Sequence, residues 1–175
     1  MKIIKIIGII VSFVLAIILH FIYGIIPNTF ISIIAPVNES IWEHMKLIIS
    51  SSLIFSVFEF FIYKKKTIPF NNFILSYGIA SFVSIIVYLI LYIPLNDIFG
   101  HKAYIAISLL FLIFIFLQYI SFLIMNYKKI NHSNDIGILL IIIIYFIFGY
   151  FTYHPPKIYL FYDYINQGYG IIKSS

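Results

Sequence analysis

The chain has 175 residues, of which 63% are hydrophobic and 10% charged; its formal net charge of +5 is set by eleven lysines against six acids, and it has no cysteine. With a mean hydropathy of +1.09, this composition excludes a soluble domain, and the missing cysteines exclude disulfides, thiolate metal sites and cysteine nucleophiles. The positive charge sits in short connectors beside long apolar runs, which is the pattern of a topology signal rather than of a nucleic-acid surface.

An apolar helix of about 20 residues crosses the ~30 Å hydrocarbon core of a bilayer. Five such runs occupy most of the chain. The predicted spans cover about residues 3–26, 40–63, 73–95, 104–125 and 136–153. The start, Met1-Lys2-Ile3-Ile4-Lys5, is basic like a signal peptide, but the apolar run behind it is too long for a signal core and has no small-residue cleavage site, so it reads as an uncleaved first span. His20 lies toward its end. Pro27 stops it, and residues 28–37 form an apolar connector too short to cross, either interfacial or re-entrant.

The second span opens at Ser40-Ile41-Trp42-Glu43, a capping-box pattern, with Asn38 as an alternative cap, and closes at Lys64-Lys65-Lys66. The third ends around Pro94 and carries Gly78, Ala80, Ser81 and Ser84, small residues suited to close helix approach. Residues 96–102 connect it to the fourth, which ends before Tyr127-Lys128-Lys129. The fifth ends at His154-Pro155-Pro156, because a proline disfavours helix in the residue before it. A tyrosine-rich tail follows.

The expected fold is therefore an all-α membrane protein, a bundle of five transmembrane helices in a single integral membrane domain over residues 1–175, with an outer cap at 27–39 and a tail at 154–175. Lys2 and Lys5, Lys64 to Lys66, and Lys128 and Lys129 fall on one side if all five spans cross. The positive-inside rule then places the N-terminus in the cytoplasm and the C-terminus outside.

That orientation gathers Glu39, Glu43, His44, Asp97, His101, His154 and Asp163 toward one outer rim, with His20 nearby. Glu39 and Glu43 are four residues apart and share a helix face. Two carboxylates and an imidazole suit a hard or borderline divalent cation. The expected site has Glu39 and His44 as metal ligands, His20, His154 or Asp163 as a third, and Glu43 as catalytic base. The ordinary reading stays open beside it: acids in a first helical turn complement the helix dipole, Glu43 completes the capping box, Lys46 can pair with it, and Trp42 and His44 suit the interface. Within the spans, Glu59 and Gln118 are polar residues that need partners. Glu59 can pair with a lysine among Lys64 to Lys66, or accept from Gln118.

The segment Pro36-Val37-Asn38-Glu39-Ser40-Ile41-Trp42-Glu43-His44-Met45-Lys46 resembles the signature of a family of small multi-pass bacterial membrane proteins known only as a domain of unknown function. The tail, from His154-Pro155-Pro156 through Asp163 to Tyr169-Gly170, is similar to that family's C-terminal pattern. The resemblance marks Asn38, Glu39, Trp42, Glu43 and His44 as residues of interest, with Asp163, Tyr169 and Gly170 beside them, and implies a bacterial plasma membrane. It implies no activity and no cofactor-binding residues.

The leading functional expectation is an outward-facing polar site that performs metal-assisted hydrolysis or transfer on a lipid head group. The alternatives are a small transporter or channel subunit using the intramembrane polar groups, and a structural or accessory subunit. The expected partner is the lipid bilayer, with no nucleic acid.

Overall fold

The computed structural model describes residues 1–171, so the final residues of the tail, Lys173 among them, lie outside the described part. The elements are α1 (Lys2–Ile25), α2 (Thr29–Ile34), α3 (Ile41–Lys65), α4 (Phe73–Phe99), α5 (Ala103–Asn126) and α6 (Ser133–Tyr153), then a single 3-10 turn (Tyr159–Phe161) and two short strands, β1 (Tyr162–Asp163) and β2 (Gly168–Tyr169). Five of these helices, all but α2, are long and apolar enough to cross a membrane.

Side-chain contacts fix how the helices run. Lys5 near the start of α1 meets Glu59 near the end of α3 and Ser121 near the end of α5, both at 2.8 Å. At the other end His20 of α1 stacks on His44 of α3, with ring centroids 5.1 Å apart. Tyr77 near the start of α4 bonds Glu59 at 2.7 Å, while Thr152 at the end of α6 bonds Glu43 at the start of α3 at 2.9 Å. The long helices therefore alternate in direction. Lys5, Glu59, Tyr77 and Ser121 mark one end of the bundle, and His20, Glu39, His44 and the tail mark the other. α3 is the central helix: 61% of its apolar window is buried, against 22% for α1 and α6.

Three local expectations change. The third span continues through Pro94 to Phe99 instead of stopping near residue 95. Proline's fixed φ is itself helical, and its cost of one hydrogen bond falls within the last turns, where it is tolerated. The helix ends at Gly100, whose φ of +72° only glycine adopts freely. Residues 29–34 form the short helix α2, capped by the Asn28 side chain on the Ile31 N–H at 2.9 Å. α2 is pinned to the bundle by Ser32 on the Tyr153 hydroxyl and by the Ile34 carbonyl, which accepts from Ser50 at 2.6 Å. The capping box forms only by half: the Ser40 hydroxyl accepts from the Glu43 N–H, but the Ser40 N–H bonds Asn38 Oδ1 at 2.9 Å, and the Glu43 carboxylate goes elsewhere.

α4 and α6 approach through glycine. A Cβ on Gly137 would stand 2.4 Å from the Leu75 backbone nitrogen, and one on Gly78 would stand 3.2 Å from the Gly137 carbonyl oxygen. Small residues at such crossings let membrane helices gain dispersion contacts where no hydrophobic force drives association. A Gly137→Ala substitution should therefore destabilise the protein by about 1–3 kcal/mol through overpacking, read as a lower thermal midpoint in detergent. Gly24→Ala, which meets nothing within 4 Å, should leave that midpoint unchanged.

Candidate functional site

Three elements converge on one group of ligating atoms. The buried face of α1 (Lys5, Gly8, Ser12, Ala16, Leu19) leads to His20. Glu39 sits in the segment before α3, its N–H held by Asp163 Oδ2 of the tail at 3.0 Å. His44 occupies the first turn of α3. One ligating atom from each of these three residues lies within 4.8 Å of the others. The Glu39 carboxylate stands between the imidazoles, with Oε1 3.4 Å from His20 Nε2 and Oε2 3.3 Å from His44 Nε2. Nδ1 of His44 lies 2.8 Å from the Ser40 carbonyl, an acceptor, so Nδ1 carries the proton. Nε2 faces Glu39, and the Ser40 carbonyl fixes the orientation of the ring, as a hydrogen-bonded partner does for a metal-ligating histidine.

These atoms form the polar head of a cavity of about 500 Å³. Phe13, Ala16, Ile17, Leu47, Ala106, Ile107 and Leu110 supply apolar walls, and Tyr88, Tyr92, His101 and Tyr164 add polar edges. Tyr88 and Tyr92 stack with centroids 5.2 Å apart. His20, followed by His44, holds the Glu39 carboxyl well below the usual carboxylate range. Burial, followed by the charge of His44, lowers the His101 pKa and keeps that ring neutral at pH 7.

A sequence profile described as "Family of unknown function (DUF6512)" matches residues 1–171 of this chain. The chain belongs to the DUF6512 family. No curated protein and no solved structure matches it. Membership covers nearly the whole chain, including the start of α3 and the tail, and brings no activity with it.

The remaining sequence candidates lie elsewhere. Glu43 does not line the cavity. It is buried, and both its oxygens are engaged: Oε2 accepts from Lys46 Nζ and the Val37 N–H, and Oε1 accepts from Thr152. A carboxylate held in that way has no free oxygen for a general base, so Glu43 is a brace and that expected role is withdrawn. Lys46 completes the brace by donating to the Ser32 carbonyl and to Thr152, each at 2.7 Å, and to the Ala35 carbonyl at 3.5 Å. His154 is exposed, packs on the Tyr150 ring and takes no part in the group. Asp163 is no ligand either. Its oxygens accept from the Glu39, Ile165 and Asn166 N–H groups and from the Asn166 side chain. Burial acts to raise its pKa, but these donors outweigh it and the net shift is downward.

The other motif residues tie the two sequence patches together. Asn38 donates to the Gly170 carbonyl at 2.8 Å. Gly170 has a φ of +63°, and a Cβ there would meet the Thr152 carbonyl oxygen at 2.9 Å. Trp42 packs on Phe161 of the tail with centroids 4.7 Å apart. Tyr169 pairs with Tyr162 in the small hairpin.

At the opposite end Glu59 finds neither expected partner. It pairs with Lys5 from α1 and accepts from the Tyr63 and Tyr77 hydroxyls, both at 2.7 Å. Lys5, counted from sequence as a topology charge, is buried. Sequence reasoning also overlooked Tyr88 and Tyr92 as cavity walls; the available signal was their four-residue spacing on one helix face.

Removing one member of a buried ion pair strands the other. Glu43→Gln or Lys46→Met alone should cost about 3–5 kcal/mol. The double variant Glu43→Leu/Lys46→Met should recover much of the loss, read from thermal unfolding in detergent.

Proposed function

We propose that this DUF6512 protein binds one divalent cation, zinc by preference, through His20, Glu39 and His44, and uses it to hydrolyse or transfer the head group of a lipid whose chain lies in the adjoining cavity. One observation carries the reading: two imidazole nitrogens and a carboxylate meet at the polar end of an apolar cavity inside a bundle of membrane-spanning length.

The three ligating atoms lie within 4.8 Å of one another, which leaves room for a cation among them. Charge-assisted N–H···O contacts are about 2.7–2.9 Å long. The His–Glu approaches of 3.3 and 3.4 Å are longer. Each runs to a different carboxylate oxygen, so a cation would draw one oxygen between the imidazoles, with about 2.0–2.1 Å to each ligand. Two nitrogens and one oxygen suit zinc, and three protein ligands leave a fourth position for water or substrate.

A cation there would lower the pKa of a bound water and polarise a phosphoryl or acyl oxygen. His101, neutral and on the wall of the same cavity, is placed to take the proton released as the water oxygen bonds to the ester centre, and to return it to the departing oxygen. Phe13, Ala16, Ile17, Leu47, Ala106, Ile107 and Leu110 bury the chain and keep bulk water from the reacting bond. The cavity volume of about 500 Å³ falls within the roughly 300–1,000 Å³ of small-molecule sites.

The site belongs on the outer face of a multi-pass cell membrane, the bacterial plasma membrane by the resemblance of the motif. With Lys5 and Lys46 paired inside the protein, the exposed lysines are Lys2, Lys64 to Lys66, Lys128 and Lys129 at one end, against Lys102 and Lys157 at the other. That bias supports a cytoplasmic first end. One integral domain then carries both the bundle and the site.

Purified protein should bind one zinc ion per chain by calorimetry and metal analysis. Glu39→Gln and His44→Ala should each weaken binding by ~100-fold or more; a metal-free wild type, or a Glu39→Gln protein that binds as wild type does, would overturn the reading. In lipid vesicles the same substitutions should abolish zinc-dependent release of head groups. Proton competition gives a further check. Glu39, with its depressed pKa, stays ionised across the neutral and mildly acid range. An imidazole ligates only when neutral, so affinity should fall as the pH is lowered from about 8 to about 5.5.

A further inference from the structure

We propose that a hydrated polar column runs through the bundle from the Lys5–Glu59 pair to the floor of the cavity and carries protons between them. The motivating fact is a set of buried polar atoms with no partner in the protein. Gln118 is 1% exposed, yet neither its amide oxygen nor its nitrogen makes a hydrogen bond; the hydroxyls of Ser12, Ser81 and Ser84, all at 0% exposure, are in the same condition. Gln118 approaches Tyr77 but falls outside hydrogen-bonding geometry. Unpaired groups of this kind are costly to bury, and buried water is the usual remedy.

Their placement is a line. On α1, Lys5, Gly8, Ser12 and Ala16 follow one buried face. On α4, Tyr77, Ser81, Ser84, Tyr88 and Tyr92 recur three or four residues apart, and all are buried. Gln118 sits one turn before Ser121 on α5. The lower end is fixed by Lys5, which bonds both Glu59 and Ser121 at 2.8 Å. One turn up, a Cβ on Gly8 would stand 2.5 Å from the Phe55 ring and 3.0 Å from the Gln118 amide carbon, so glycine lets both lie against α1. The upper end is fixed because Ala16 and Tyr88, one turn beyond Ser12 and Ser84, line the cavity. The orphaned groups occupy the two turns between a buried charged pair and an open cavity.

Glu59 gives the column a terminus. An acid within a membrane span marks a proton or ion path by default, and this one faces Lys5, Tyr63 and Tyr77. A proton arriving from the cavity passes by exchange along waters and hydroxyls, each accepting one and releasing one, reaches the Glu59 carboxylate, and is then released to water at that end of the bundle. The cluster gains one unit of charge while Glu59 holds the proton and loses it on release, and Lys5 keeps its ammonium throughout.

The cysteine-free chain allows a direct test that needs no metal, so its outcome is separate from that of the zinc reading. In proteoliposomes, Ser12→Cys, Ser84→Cys and Gln118→Cys are exposed to a small charged methanethiosulfonate, with Ile10→Cys and Leu112→Cys as lipid-facing controls. Only a thiol in contact with water ionises and reacts. The three column positions should react at least tenfold faster than the controls. Vesicles holding a pH dye should lose an imposed pH gradient at least tenfold faster with the wild type than with Gln118→Leu or with the charge-neutral pair Lys5→Met/Glu59→Gln. Column thiols as inert as the controls, or wild-type vesicles no leakier than protein-free ones, would each overturn the proposal.

Discussion

The Glu43–Lys46 pair is the constraint on which the rest of the site depends. Both side chains lie in the first turns of α3, where a bilayer offers no water to satisfy a charge. Their attraction offsets desolvation only because every remaining donor and acceptor has a partner. The partners come from the Val37 N–H, the Ser32 and Ala35 carbonyls and the Thr152 hydroxyl. Three segments (the connector with α2, the start of α3 and the end of α6) are thereby locked into one geometry. Glu39 precedes this pair in sequence, His44 sits between its members, and both inherit their positions from it.

The tail reinforces the same lock from outside. Asp163 is used up within its own turn except for one contact, to the Glu39 N–H. Asn38 reaches the Gly170 carbonyl, and Trp42 lies against Phe161. The two sequence patches that resemble a family signature therefore read as one structural unit: most of their residues hold the connector in place, and Glu39 and His44 face the cavity. A motif can be shared for its scaffold as much as for its chemistry, and here a four-residue separation divides the two roles between Glu39 and Glu43.

Charge is distributed at both ends of the bundle in the same style. Lys5–Glu59 at one end and Lys46–Glu43 at the other are each buried and each surrounded by hydroxyl donors. Lys5, which the positive-inside argument counts as free, and Lys46 are in fact internal. Removing both sharpens the asymmetry of the lysines among the described residues, because seven to three becomes six to two. Glu59 also illustrates why the nearest lysines in sequence are poor guesses for a partner. Lys64 and Lys65 in the last turn of α3, and Lys66 after it, are exposed, whereas the partner Lys5 is fifty-four residues away and one helix over.

What the chain determined alone was whatever depends on nearby residues. Five apolar runs of spanning length fix five helices, a serine before Ile41 fixes where α3 begins, and His20, Glu39 and His44 could be named because consecutive crossings bring the end of the first span beside the start of the second. The last turns of α4 past Pro94 escaped, since proline's penalty is small near a helix end. Only tertiary packing decided which acid faces the cavity and which is a brace. Glu39 and Glu43 have the same chemistry and share a helix turn in the sequence; Thr152, 109 residues away, and the Val37 N–H take Glu43 out of reach, while Asp163 pins Glu39 between two imidazoles. Partners separated by that much chain leave no periodicity to read, and in a bilayer the satisfaction of each buried charge is settled by the whole fold.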